Sequence, residues 1–291
     1  MDASSLDKLR QEIDAIDGEL HGLIQRRAAL VDDIAGAKPA GGLALRPGRE
    51  AVVLRRRLDA HLADRTGRFP ATALFRIWRE MMCALTLMQT PVLKIAICRP
   101  ADQPGYWDLA RDHFGCQIPF VASDTPTQVL AAVRSNPTTL GIVPAPIEAD
   151  ATPWWPLLAG TDATMPNVVA RLPFLSQPNA RARGISALVL ARIEPEASGD
   201  DRSLVSIDVS TSVSRDRLFA ALAKAGLPTA TSALDQIVGG SHHYLVEMPG
   251  VIADGDPRLR QLEAALGIDG VRVAAIGAYA TPYTVPAAPK P

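Results

Sequence analysis

The sequence predicts a multidomain chain: an all-α three-helix N-terminal third, a reduced α/β segment, and a ferredoxin-like α+β domain. Three observations lead there. Apolar residues recur at heptad-like spacing over residues 6–34. At Thr90-Pro91 the texture changes from charge-dense helical sequence to short apolar runs of strand type. Residues 203–280 then read strand, helix, strand, strand, helix, strand, which is the βαββαβ plan.

Composition narrows the function classes. The 291 residues carry 30 Lys+Arg against 31 Asp+Glu, a net charge of -1, which argues against a nucleic-acid binder that relies on a basic surface. Cys83, Cys98 and Cys116 have no CxxC spacing and cannot all pair, so no disulfide framework is expected. Cys98 and Cys116 read as small core residues. The charged N terminus has no apolar signal core, and no apolar run is long enough to span a membrane. A cytoplasmic protein with no membrane partner is expected.

The elements follow in order. Residues 5–90 read as helices, broken where Gly and Pro cluster at 39–48 and 67–70. Leu93 to Ile97 is a strand candidate, 107–115 and 125–135 are short helices, and Leu140 to Val143 is another strand. From Ala145 to about Arg183 the chain is rich in Pro and Ala with weak periodicity, and 185–193 is again a strand candidate. Helices are expected at 215–225 and 257–266, and strands at 244–248 and 270–276. The expected divisions are 1–91, 92–198, 199–280 and a disordered tail at 281–291.

The first helix carries the most informative pattern. Leu6, Leu9, Ile13, Ile16, Leu20, Leu23, Leu30 and Ile34 form one seam, and the seam position at 27 is Arg27. Lys38 lies one step beyond Ile34. Two inward cations need an anion to offset their desolvation, and no acidic residue shares their stripe. A ligand could be that anion. Arg27 and Lys38 are three helical turns apart, about 16 Å, so both can reach one small molecule. Arg10 is about 25 Å from Arg27 along the same helix, so it can serve that ligand only from another subunit. Arg46-Pro47-Gly48-Arg49-Glu50 opens a second helix, with Pro47 as its start signal. On the third helix Leu74, Ile77, Met81, Leu85 and Met88 make a stripe, with Gln89 at its end. Singly, Arg27 also reads as a snorkelling residue and Arg49-Glu50 as a solvated pair. Together, polar residues recurring on three apolar helix faces favour a site.

The segments LDKLRQEIDAID, LIQRRAALVDDIAGAK, RPGREAVVL and FRIWREMMCALTLMQ resemble the all-helical chorismate mutase family, as found at the N terminus of bifunctional chorismate mutase–prephenate dehydratases. The resemblance implies a domain-swapped homodimer, chorismate as substrate, and no cofactor or metal. It implies that Arg27, Arg49 and the partner subunit's Arg10 bind the two substrate carboxylates. Lys38 and Gln89 would hydrogen-bond the ether oxygen of the breaking bond, and Glu50 would hold the ring hydroxyl. A serine of some relatives matches Leu85 here, and an aspartate of some falls near Arg46 or Pro47. Activity is expected to survive both changes, and to survive in a chain ending near Gln89.

LKIAI and GIVPAPIE resemble parts of a prephenate dehydratase domain, with severe departures. CRPADQPG stands in place of its glycine-rich opening, Ala149-Asp150 in place of Asn-Ser, and Ile185-Ser186-Ala187 in place of the catalytic Thr-Arg-Phe. Residues 93–195 are too few for the family's two lobes, so dehydration is not expected. SLVSIDVS, RLFAALAKAGLP, YLVEMPG and GVRVAAIGAY resemble an ACT domain without its phenylalanine-binding signatures: Arg215-Asp216-Arg217-Leu218 and Ala233-Leu234-Asp235-Gln236 stand there. Arg55-Arg56-Arg57 reads as a solvated face, His242-His243 has no partners at metal-ligand spacing, and Trp154-Trp155 reads as a loop anchor.

Overall fold

The computed structural model describes residues 3–37, 42–64, 68–101, 103–148, 153–160, 162–176 and 180–285. A helical N-terminal region precedes a mixed α/β unit. Helix α1 (Ala3–Gly36) has 34 residues and so runs about 50 Å. Its C-terminal end, where Arg27, Ala28, Val31 and Ala35 are half-buried, packs on α3 (Ala71–Gln89). The seam nearer its N terminus stays open: Leu6, Leu9, Ile13, Ile16, Leu20 and Leu23 are 41–61% exposed.

Helix α2 (Pro47–Ala63) starts on Pro47, whose missing N–H is one the first turn does not need. It buries Ala51, Leu54 and Leu58 against Phe75 and Met82 of α3. Helix α3 stops at Thr90 because Pro91 follows, and the Thr90 hydroxyl accepts the amide of Ala44 at 3.1 Å. The buried face of α3 shares only Leu85 with the expected stripe. Phe75, Arg79, Met82, Cys83, Leu85 and Thr86 are buried, whereas Ile77 and Met88 of the expected stripe are half-exposed. Apolar residues lie on both sides of this helix, and the α/β unit selects the Phe75 side by stacking Phe174 on it at 6.2 Å.

One nine-stranded sheet organises the rest. Its first half contains β1 (Lys94–Cys98), α4 (Gly105–Phe114), β2 (Phe120–Ser123), α5 (Pro126–Ser135), β3 (Thr139–Pro144), β4 (Asn167–Leu172) and β5 (Ala187–Ala191). Its second half contains β6 (Asp201–Val209), α6 (Arg215–Lys224), β7 (Ser232–Val238), β8 (Ser241–Pro249), α7 (Pro257–Leu266) and β9 (Arg272–Ala280). The strand order is β2-β1-β3-β5-β4-β9-β6-β8-β7. The last four strands have the antiparallel order and two covering helices of the ferredoxin-like plan. Alternation along β6 is clean: Val205, Ile207 and Val209 face α6 and α7, and Leu204 faces the other way. Gly239 and Gly240, both at positive φ, close the β7–β8 hairpin where a side chain would be strained.

Several expectations change. Strands β2 and β4 lie where no strand was expected, β4 within the Pro/Ala-rich stretch. It pairs with β5 and, through Val168 and Gly277, with β9, so the segments expected to end and begin near 198 share one sheet. Trp154 and Trp155 do anchor a loop, but they pack on both halves, beside Leu204, Leu245 and Ile276 as well as Val168. Part of the expected disordered tail is docked: the Tyr283 amide donates to the Phe174 carbonyl at 2.6 Å, and its hydroxyl donates to Asp59 at 2.6 Å. Residues 286–291 lie outside the described residues. Arg55 is not solvated, because it lies over Phe174 and donates to the segments around Ser198 and Thr281, while Arg56 and Arg57 are exposed as expected. Cys116 is exposed rather than core, its thiol 3.0 Å from Glu80; Cys98 is buried as expected.

Candidate active site

An open cleft of about 460 Å³ lies between the C-terminal end of α1, the start of α2 and the end of α3. Arg27, Arg49, Glu50 and Gln89 all line it, together with Arg46, Leu85 and Thr86. Four of the six residues singled out from the sequence are thus brought together. Helix α1 presents Arg27 because the seam turns inward there. Pro47 sets the first turn of α2, which carries Arg49 and Glu50. The α3 terminus at Thr90 leaves Gln89 on the rim.

Arg10 lies outside this cleft. It is exposed and pairs with Asp7, one turn away, at 3.2 Å. Lys38 lies outside the described residues.

The charges in the cleft are unevenly matched. Arg27 Nη1 is buried with no hydrogen-bond partner. Burial holds its guanidinium below the ordinary value, and the Glu50 carboxylate pulls the other way. Glu50 makes no hydrogen bond to it, and its Oε2 accepts from Arg79 Nη1 at 2.5 Å instead. Arg46 is paired with Glu196 of the segment that precedes β6. Exposed Arg49 has no ion pair among the described residues. Two guanidinium groups therefore reach the cleft with no hydrogen-bonded carboxylate among the described residues, and bidentate arginine forks suit carboxylate or phosphate oxygens. Gln89 is half-buried, and its amide nitrogen donates to the Leu85 carbonyl one turn back at 3.2 Å. That is a local contact which a better acceptor in the cleft can replace.

Sequence reasoning missed Arg79, which is 1% exposed. The signal was available. Phe75, Arg79, Met82 and Thr86 form a seam with one cation inside it, the same pattern that singled out Arg27. Among the described residues no group of His, Cys, Asp and Glu is placed to hold a metal ion, and no helix is long and apolar enough to cross a membrane. His242 and His243 lie near Asp235 and Asp208 instead.

Comparison with protein families falls on the same segment. Residues 9–90 match the family model "Chorismate mutase type II". The bifunctional chorismate mutase/prephenate dehydratase of Aquifex aeolicus (strain VF5) is 29% identical over 140 residues, 48% of this chain. The chain spans only 38% of that relative's length. Among solved structures, prephenate dehydratase from Streptococcus mutans aligns with a TM-score of 0.43 at 15% identity, over 65% of this chain and 98% of that one. A structure titled as a novel type of quorum quenching acylase, GqqA, aligns with a TM-score of 0.44 at 16% identity, over 65% of this chain and 95% of that one. The match to the chorismate mutase type II model, residues 9–90, runs through all three helices that build the cleft.

Proposed function

We propose that the chain converts chorismate to prephenate, in the supply of precursors for phenylalanine and tyrosine. The observation that carries this is the pair of unmatched guanidiniums, Arg27 and Arg49, in one cleft with Gln89. The reaction is an intramolecular [3,3] rearrangement, so it needs neither a nucleophile nor a proton relay. The site has two tasks: to hold the compact diaxial conformer, and to stabilise charge that develops on the ether oxygen. Arg27 and Arg49 bind the substrate carboxylates. Gln89 and Lys38 donate to the ether oxygen. Glu50 accepts from the ring hydroxyl through the oxygen that Arg79 leaves free.

The working form is a homodimer. The α1 seam from Leu6 to Leu23 supports it, since six large apolar side chains left in water call for a covering surface. A second copy packed antiparallel covers that seam and brings the partner subunit's Arg10 toward the cleft. The remaining residues form a reduced dehydratase-like segment and an ACT-like domain. Dehydration is not part of the reading, because the sequence lacks that family's threonine and glycine-rich opening.

The test is a product assay on the purified full-length chain with chorismate, scoring prephenate against phenylpyruvate. Prephenate alone is the expected result. Phenylpyruvate formed without added acid establishes the second reading, a bifunctional enzyme like the relative from Aquifex aeolicus. Unchanged chorismate overturns the mutase reading and favours a ligand-binding role.

A further inference from the structure

Arg79 joins the cleft to the α/β unit. Its guanidinium is wholly buried and every arm has a partner. Nη1 donates to Glu50 on α2 at 2.5 Å, Nε donates to the His113 carbonyl at the end of α4 at 2.6 Å, and Nη2 lies 3.3 Å from Cys83 Sγ. The Phe114 ring lies beneath it, 5.8 Å from the guanidinium carbon. Glu50 is its sole carboxylate partner among the described residues, because Glu80 turns to the Cys116 thiol and amide. Burial pushes the Cys83 thiol up to about 11, so it stays neutral and leaves Glu50 as the only counter-ion in contact.

We propose that Arg79 is a positioning residue for the mutase reaction: held by the His113 carbonyl and Phe114, it fixes one oxygen of Glu50 and presents the other to the substrate. The inference rests on the mutase reading and deepens it. An unsupported glutamate on the first turn of α2 has three rotatable bonds and would swing toward Arg27, whose charge also attracts it. Arg79 outcompetes that pull with a single charge-assisted bond from a guanidinium already held by the His113 carbonyl. The α/β unit thereby contributes to the mutase site without touching substrate.

The experiment is a double-variant cycle in the full chain, read as chorismate turnover and as melting temperature. Arg79→Gln is expected to lower kcat/KM at least about 10-fold, to within about threefold of Glu50→Gln. The double variant is expected to be no worse than Glu50→Gln alone, because the two residues act as one unit. Arg79→Lys keeps the charge but has no planar group that can hold the His113 carbonyl and the Glu50 oxygen at once. It is expected to melt near the wild type, to recover part of the activity, and to remain at least about threefold impaired. Arg79→Gln within twofold of wild type, or losses that multiply in the double variant, overturns the proposal. If Arg79→Gln fails to fold, Arg79→Lys decides: full kcat/KM there overturns it and impaired turnover supports it. A wild-type chain that leaves chorismate unchanged is the separate outcome that removes the mutase reading itself.

Discussion

Arg55 of α2 donates to the carbonyl oxygen of Thr281 at 2.8 Å, across 226 residues of sequence. The same guanidinium donates to the Ser198 hydroxyl and the Asp200 carbonyl, each at 2.8 Å, and covers the Phe174 ring. One side chain thus ties the helical region to three separate segments of the α/β unit. Arg55→Ala is expected to lower unfolding free energy by about 2 kcal/mol, the scale for charge-assisted hydrogen bonds to carbonyls. A urea titration measures it. Arg56→Ala, an exposed neighbour, serves as the control and should shift the midpoint little.

The tie bears on truncation. A chain ending near Gln89 was expected from sequence to keep most mutase activity. In the structure Ala51, Leu54, Leu58, Phe75 and Met82 are buried against Phe174 and Leu175, and Arg79 against His113. Cutting after Gln89 exposes that apolar face and leaves Arg79 with one anchor fewer. Residues 1–90 alone are expected to aggregate and to lose most of their turnover. Size-exclusion chromatography and chorismate decay check this. A monodisperse, fully active fragment would show that the α/β unit does not support the site.

Arg27 separates function from stability. Its Nη1 is buried without a partner, so the folded chain gains nothing from that charge. Arg27→Ala is expected to leave the melting temperature unchanged or higher. It should lower kcat/KM by about 100-fold, the scale for removing one donor from a charged transition state. Lys38→Ala is expected to lose activity on a similar scale. Near-wild-type turnover in the Arg27 variant would remove it from the site.

His113 gives a pH dependence. Its ring is buried and its Nδ1 has no partner. Burial first, and the Arg79 charge second, hold the imidazole well below its usual value of 6.5. Below pH 6.5 the unfolded chain therefore binds a proton that the folded chain refuses. The stability from this group is complete above that pH and falls as pH drops, with a slope approaching about 1.4 kcal/mol per unit. His113→Phe keeps the backbone carbonyl that receives Arg79 and removes the titration. Urea midpoints between pH 7.5 and 5 should fall less steeply in the variant. Parallel slopes would exclude His113 as the source.

What was legible in the sequence follows from what is local. The α1 seam, Pro47 at the start of α2, and the cation at position 27 all announce themselves within a few helical turns. They place Arg27, Arg49, Glu50 and Gln89 in one cleft. The misses were set by tertiary packing. Helix α3 is apolar on two sides, so which side is core depends on Phe174, a residue 99 positions after Phe75. Strand β4 has weak local signals and exists because β5 pairs with it. Arg55 reads as one of three surface arginines, since its hydrogen-bond partners lie 143 to 226 residues away.

The join between the two halves of the sheet rests on a glycine. Val168 of β4 pairs with Gly277 of β9, the one pair between strands of the two halves among the described residues, with an isolated bridge from Leu175 to Tyr283 beyond it. Gly277 has φ of +132°, and a Cβ there would overlap the backbone nitrogen and oxygen of Val168. Neither obstacle can yield by rotating a side chain. Gly277→Ala therefore meets backbone strain and collision together, and about 2–4 kcal/mol of destabilisation is expected. Gly250→Ala is the matched control. It also has positive φ, at +85°, but a Cβ there meets nothing within 4 Å, so only the strain applies, about 1 kcal/mol. Urea unfolding followed by tryptophan fluorescence reads the difference, since Trp154 and Trp155 are packed against both halves. A larger midpoint loss for Gly277→Ala than for Gly250→Ala is expected, with an early fluorescence change as the halves part. Equal losses would mean that the shared apolar cluster around Trp155, rather than the strand pair, holds the two halves together.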